Sequence, residues 1–155
     1  MLKVLGYRGR SLVSKAIQMQ TRSPYSHVAV QMQDARGAVI EAWHVGGVRE
    51  IADPLEGHDS DTVIDVFSVT GLYRETDVVN FLKQELGKKY DFRSVARFLT
   101  RIPAKENGKW FCSELVVAAF RHGGLSLQAG SPDMFSPRDV CMSPYLTLED
   151  KINVK

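Results

Sequence analysis

Cys112 is the residue in this sequence best suited to covalent chemistry. It follows Lys109-Trp110-Phe111 and opens a run in which Cys112, Leu115, Val116, Ala119 and Phe120 recur at helical spacing, stopped by Gly123-Gly124. A thiolate there sits near the positive end of a helix dipole, and a neighbouring imidazolium lowers its pKa further, giving a nucleophile competent at neutral pH. The same position lies on the apolar face of its helix, and free cysteine is often a small buried hydrophobe, so both roles stay open for Cys112 alone. The other cysteine, Cys141, lies in a Pro-rich stretch beside Asp139 with nothing to depress its pKa, and is expected to be an ordinary thiol.

A nucleophilic cysteine needs a base, and the histidines on offer are His27, His44, His58 and His122. His58 falls in a loop among acids, and His122 falls at a helix C-terminus, where the dipole accounts for it. His27 interrupts the apolar neighbourhood Tyr25-Ser26-His27-Val28-Ala29-Val30, where an imidazole must find a partner, and is the best base. Register arithmetic then nominates Glu41. If residues 27–33 pair antiparallel with residues 38–43 across an odd-numbered loop, paired numbers have an even sum. His27 and Glu41 then share a face, directly opposite at a sum of 68 and diagonal at 70. In that place a carboxylate accepts the imidazole N–H and stabilises the imidazolium. An even-numbered loop would reverse the parity and leave Glu41 an exposed strand residue. His44 would point to the other face.

Trp43 shares the face of Glu41 and either lines a cleft or packs in the core. Tyr90 could donate its hydroxyl to an oxyanion or a substrate, or serve as a boundary residue after Gly87-Lys88-Lys89. Tyr25, adjacent to the base, is a third candidate substrate contact. His58-Asp59-Ser60-Asp61 has metal-capable side chains, but no second ligand pair stands at a suitable spacing, and no metal is assigned.

The elements that must position these groups follow from periodicity and turn chemistry. Ser11 caps an expected helix over residues 11 to about 20, and Ser23-Pro24 marks a turn. Residues 27–33 alternate as a strand, residues 38–43 form its hairpin partner, and 62–67 a further strand. Val78, Val79, Phe81, Leu82 and Leu86 trace a helical stripe ended by Gly87, and another helix is expected over 92–99 before Pro103. Residues 131–144, with three prolines, read as a long loop. A hairpin with segregated helices indicates an α+β fold.

The blocks Arg22-Ser23-Pro24-Tyr25-Ser26-His27-Val28-Ala29, Val39-Ile40-Glu41-Ala42, Tyr90-Asp91-Phe92 and Trp110-Phe111-Cys112-Ser113-Glu114-Leu115-Val116, in this order, resemble the permuted papain-like amidases of the YiiX/YaeF type, relatives of the NlpC cell-wall peptidases. The resemblance implies a circularly permuted papain-like fold, with a cysteine-bearing helix on a small antiparallel sheet or barrel. It implies Cys112 as nucleophile, His27 as general base and Glu41 as the polar third residue, in a bacterial or phage protein. The chain departs from the family in opening with Met1-Leu2-Lys3-Val4-Leu5-Gly6-Tyr7 rather than a Gly-Asp pair, so a short first strand is expected. Because the group also contains lipid-acting members, it specifies machinery better than substrate.

Length and composition bound the rest. At 155 residues, 44% hydrophobic and 25% charged, the chain reads as one globular domain over 1–155, and it shows no internal repeat. A net charge of +2 gives no case for nucleic acid. Lys3, Arg8, Arg10 and Lys15 interrupt the N-terminal region, so no signal peptide or integral membrane segment is expected, and two cysteines 29 residues apart suit a reduced, cytoplasmic protein. The expected activity is cysteine-dependent hydrolysis of a peptide, amide or acyl substrate through a thioester, on peptidoglycan-type peptides in the first instance, with no cofactor. The alternatives are an acyltransferase or lipid acyl hydrolase with the same triad, and an inactive papain-like module that binds peptides.

Overall fold

β-branched residues at alternating positions build one sheet. In the computed structural model, which describes residues 1–33, 36–94 and 108–153, strands β1 (Lys3–Arg8), β2 (His27–Gln31), β3 (Val39–Trp43), β4 (Gly47–Ile51), β5 (Val63–Val69) and β6 (Leu146–Asn153) pair in the order β4-β3-β2-β1-β5-β6. All five pairings are antiparallel. The helices are α1 (Leu12–Thr21), α2 (Glu75–Gln84), α3 (Cys112–His122) and α4 (Pro137–Cys141), with a 3-10 turn at Pro132–Met134. The fold is α+β, as the patterning implied.

Successive strand residues face opposite ways, and the sheet divides the apolar side chains accordingly. Val28, Val30, Ile40 and Phe67 join Leu82 of α2 and Leu115, Val116 and Phe120 of α3 in the larger cluster. Leu5, Tyr7, Ala29, Val39, Ile64 and Val66 form a smaller one on the other face. Burying such side chains stabilises the fold by about 1.5–3 kcal/mol each relative to exposure. His27 and Glu41 have the parity of Ala29 and Val39, so the strand period sends them to the smaller cluster.

Helix α1 begins where the sequence indicates, with the Ser11 hydroxyl accepting the Ser14 N–H at 3.1 Å. It ends at Arg22, a non-glycine residue with φ 50°, and the chain then turns into His27.

Four expectations change. β1 is not short: it is a six-residue strand flanked by β2 and β5, with Val4, Leu5 and Tyr7 fully buried. β4 and β6 were not anticipated. Gly47-Val48-Arg49-Glu50-Ile51 is brief and half polar, and Leu146–Asn153 is a mostly exposed edge strand whose charges blunt the sheet border. Residues 131–144 are not one loop, because Ser136 and Asp139 cap α4 reciprocally. The helix expected over 92–99 lies, from residue 95 onward, outside the described residues.

One close approach links the sheet edge to the segment that leads to Cys112. A side chain at Gly47, where φ is 83°, would lie 2.0 Å from the Lys88 carbonyl, and that carbonyl accepts the Val48 N–H at 2.8 Å. Segment 87–90 is thereby tied to β4. Tyr90 then bridges to Trp110, Asp91 N–H donates to Trp110 O at 2.9 Å, and the Trp110 indole N–H donates to Glu85 at 2.6 Å, two residues before Cys112.

Candidate active site

The hairpin register decides where His27 and Glu41 meet. Val30 pairs with Ile40 and Gln31 with Val39, a sum of 70, so Glu41 lies diagonal to His27 and Trp43 faces it across the continued register. The diagonal is short enough: His27 Nε2 and Glu41 Oε2 are 2.6 Å apart. On the next strand Arg49 pairs with Glu41 and donates to its Oε1 from Nε at 2.9 Å and Nη2 at 2.7 Å.

Glu41 has no solvent exposure. Burial alone would protonate it, but the hydrogen bond and charge of His27, then the hydrogen bonds of His58 and Arg49, hold its pKa far below the ordinary carboxylate range. His58 Nε2 approaches the same Oε2 at 3.4 Å from the loop after β4. Burial, helped by the charge of His27, lowers the His58 pKa against the raising pull of Glu41, so His58 stays neutral and donates its N–H.

Cys112 is the first residue of α3 and lies close enough to His27 to act on the charge of its ring. Because His27 Nε2 is directed at Glu41, Nδ1 is the nitrogen left for the sulfur. Burial favours a neutral His27, yet the charge and hydrogen bond of Cys112, then those of Glu41, raise its pKa to about 10. These interactions favour the imidazolium form of the His27 ring. The helix start is reinforced by the Glu114 carboxylate, which accepts the Phe111 N–H at 3.3 Å.

A cleft of about 330 Å³ opens beside these groups, lined by Leu12, Val13 and Ile17 of α1 and by His27, Trp43, His58 and Tyr90, among others. Trp43 stands edge-on to His27 with ring centroids 5.5 Å apart, and Arg49 lies over its indole at 4.8 Å. Tyr7 is stacked on His58 at 4.3 Å and fixed by a 3.0 Å hydrogen bond to the Pro54 carbonyl. Burial, and then the charges of Cys112 and Asp91, raise the Tyr90 pKa, so its hydroxyl keeps its proton and remains a donor. His44, expected on the far face, sits past the end of β3 and borders the same cleft.

Cys112, His27 and Glu41 are therefore neighbours, with Trp43 and Tyr90 on the cleft wall. Tyr25 is elsewhere: its hydroxyl donates to Asp65 Oδ2 at 2.6 Å beside Arg8, and it is not among the lining residues. Its β2-adjacent position suggested a substrate contact, but the residue precedes the strand and turns to the other face of the sheet. Cys141 packs its sulfur against Gly6, and burial, followed by Asp65 and Cys112, raises its pKa. Three contributors were missed. Arg49 was discoverable by carrying the parity argument across one more hairpin; Tyr7 and His58 carried no local signal.

His58 also joins a cluster of metal-capable groups that spacing along the sequence did not indicate. His27, Glu41 and His58 each offer one ligand atom, all within 4.8 Å of one another. No spacing rule reveals such a set, because its members come from β2, β3 and a loop.

Among the described residues, no helix is long and apolar enough to cross a membrane. No protein-family model matches the sequence, and no curated protein matches it. Among solved structures, the chain is similar to the crystal structure of metalloprotein YiiX from Escherichia coli O157:H7, with a TM-score of 0.72 and 24% identity over 97% of this chain and 96% of that one. The two share a fold along their whole lengths.

Proposed function

We propose that the chain is a single permuted papain-like domain over residues 1–155 and a cysteine-dependent hydrolase of amide or acyl substrates. The observation that supports this reading is that Cys112, at the N-terminus of α3, acts on the His27 ring, whose Nε2 is bonded to Glu41. The chain order base, carboxylate, nucleophile fits the permuted arrangement, and the likeness to YiiX supports the fold on which it rests.

The mechanism follows from the charges. His27 takes the proton of the Cys112 thiol, the resulting thiolate attacks the acyl carbon, and negative charge moves to the former carbonyl oxygen. The amides at the start of α3 and the Tyr90 hydroxyl on the cleft wall are the donors this reading assigns to that charge. His27 gives its proton to the leaving amine or alcohol as the thioester forms, then takes a proton from water, whose oxygen releases the acid and regenerates Cys112. Glu41, fixed by Arg49, holds the ring and balances its charge throughout. The apolar wall of α1 suits a peptide side chain or an acyl chain. Turnover of a panel of peptide amides and acyl esters tests the reading: Cys112→Ser should abolish it, and activity surviving that change would remove the thiol mechanism.

A divalent-cation role is the second reading, favoured by the convergence of His27, Glu41 and His58 and by the metalloprotein description of YiiX. Two imidazole nitrogens and one carboxylate oxygen are a donor set that suits zinc, and Arg49 occupies only Oε1, leaving Oε2 for an ion. A bound ion would supply Lewis-acid polarisation at the cleft. Activity lost to EDTA and retained after alkylation of Cys112 would belong to this reading.

A further inference from the structure

We propose that the outward face of α1 is a membrane-interfacial seat, on which Leu12, Ala16 and Met19 dip into an anionic lipid surface while Lys15 and Arg22 meet its headgroups. The seat is a matter of surface shape and charge and does not depend on the chemistry of Cys112.

Helix α1 is packed on one side only. Ile17 is the one buried residue of its ten, and Gln18 ties the inner side down by donating to the Gly9 carbonyl at 2.9 Å and the Pro24 carbonyl at 2.7 Å. Leu12, Ala16 and Met19 stand at i, i+4 and i+7 and form a stripe on the opposite side, with Leu12 85% and Met19 78% exposed. Beside them Val13 is half exposed and reaches the cleft. Single exposed apolar residues need no explanation, but a stripe of them on the helix face turned away from the core does.

Charge indicates what covers it. Residues 1–33 hold five Lys or Arg and no Asp or Glu, in a chain whose totals are 20 and 18. The other ten-residue helix, α2, places Glu75 and Asp77 in its first turn, as the helix dipole favours; α1 has no acid there. Lys3, Arg8 and Arg10 are paired with Glu149, Asp65 and Asp61. Lys15 and Arg22, seven residues apart and so in line along the helix, are both exposed, and neither enters an ion pair among the described residues. They border the apolar stripe. The acids placed beside α1 are Asp61, balanced by Arg10, and Asp59 in the lining of the cleft.

A bilayer is the occupant that fits these features. The stripe is the convex outside of one helix, and at its exposure no described residue walls it in to hold a peptide. A second copy docked symmetrically would bring Lys15 and Arg22 against their own equivalents, which like-charge repulsion opposes. An anionic lipid surface needs no groove: it takes an apolar stripe to the depth of the acyl boundary and cations at the headgroups. With ten residues and two free cations the seat is reversible, and it lies on the membrane rather than across it. Seated in this way, α1 sets the mouth of the cleft, which Leu12 and Val13 line, at lipid level. Acyl substrates drawn from the lipid layer follow from that placement, a consequence that rests on the hydrolase reading.

The test is co-sedimentation of the full chain with sucrose-loaded vesicles of phosphatidylcholine, alone or with about one-quarter phosphatidylglycerol. We expect binding roughly 10-fold stronger on the anionic vesicles, and weakened by a similar factor when salt is raised to about 0.5 M. Leu12→Ser combined with Met19→Ser should weaken binding at least 10-fold, and Lys15→Glu combined with Arg22→Glu should remove the preference for anionic lipid. All four side chains are exposed, so Tm should be unchanged in both double variants. Leu72→Ser, at a 94% exposed apolar position outside α1, is the control and should bind as the native chain does. No binding to anionic vesicles, equal binding to neutral ones, or native-like binding by the Leu12 and Met19 double variant would overturn the seat. Should a variant fold poorly, the lipid and salt dependence of the native chain still decides. Without lipid, sedimentation velocity should show a monomer; a dimer that the Leu12 and Met19 changes dissociate would mean that a second copy covers the face, against the proposal. No readout here uses turnover, so failure of the seat leaves the hydrolase reading to be judged by Cys112→Ser alone.

Discussion

Glu41 is the residue on which the site turns, because it stays ionised with no access to water. Three cationic or N–H-bearing neighbours, His27, Arg49 and His58, make that possible. Glu41→Gln keeps the shape but removes the charge that stabilises the His27 imidazolium. Turnover of a responsive substrate should fall by between 10-fold and about 10⁴-fold. Stability should fall by roughly 1–3 kcal/mol, less than for a fully buried pair because Arg49 keeps contact with water; urea denaturation measures it, and unchanged turnover would remove Glu41 from the site. Cys112 itself has no solvent exposure. Iodoacetamide should therefore label it far faster than a bulky maleimide does, a ratio that should collapse in mild denaturant. Cys141 gives the contrast: its raised pKa and packing against Gly6 predict an inert thiol, so Cys141→Ser should retain activity within a few-fold, and its loss there but not in Cys112→Ser would transfer the nucleophile to Cys141.

At the scale of elements, a β-hairpin carries His27 and Glu41, a helix start carries Cys112, and the 87–90 segment joins the two. Gly47 is the joint. Any side chain there meets the Lys88 carbonyl and must also adopt a positive φ. Gly47→Val should cost about 2–3 kcal/mol, a fall in Tm on the order of 5–10 °C for a chain of this size. Since the displaced segment holds Tyr90 and, through it, Trp110, the same change should slow Cys112 labelling and alter tryptophan fluorescence. Gly46→Ala is the control: φ is also positive at Gly46, but no atom lies within 4 Å of a side chain there, so it should lower Tm less and leave labelling unchanged. The same scale shows how much of the scaffold local patterning reveals. α1, β2, β3, β5, α2 and α3 all have a clear period or a cap, whereas β4 and β6 lack one, being short and polar or almost wholly exposed.

Across the whole molecule, the ionisable groups at the site make stability depend on pH. His27 has a folded pKa raised to about 10 from an ordinary 6.5, so its contribution is complete below 6.5 and is lost as pH rises towards 10. Glu41 is shifted down from 4.5, so its contribution is complete above that value and disappears as pH falls. Cys141 and Tyr25 are raised acids, the latter to about 12, and each adds a loss on the alkaline side, above 9 and 10 respectively. His58 and His44 are shifted down from 6.5, so each takes stability away as pH falls below that value; the protein should be most stable near pH 6.5 and decline on both sides, through to pH 10 on the alkaline one, in urea denaturation midpoints. His27→Gln should flatten the decline between pH 6.5 and 9; an unchanged slope would mean that His27 is not the group responsible.

The α+β character, the cysteine-bearing helix, the strand of His27 and, given an odd hairpin loop, the shared face of His27 and Glu41 were legible in the sequence, because each depends on periodicity or on the parity of one hairpin, and both are local properties. Parity was sufficient for Glu41 since a strand has a period of two and a single register constrains every pair on the face. Tertiary structure decided the rest. His58 reaches Glu41 from a loop 17 residues further along the chain, Tyr25 turns away to Asp65 although it is two residues from His27, and the segment carrying Tyr90 is fixed by the backbone of β4. Loops have no period to read; where a loop side chain ends up depends on which buried polar atom still has a free position to be filled, and that is known only once the strands around it have packed.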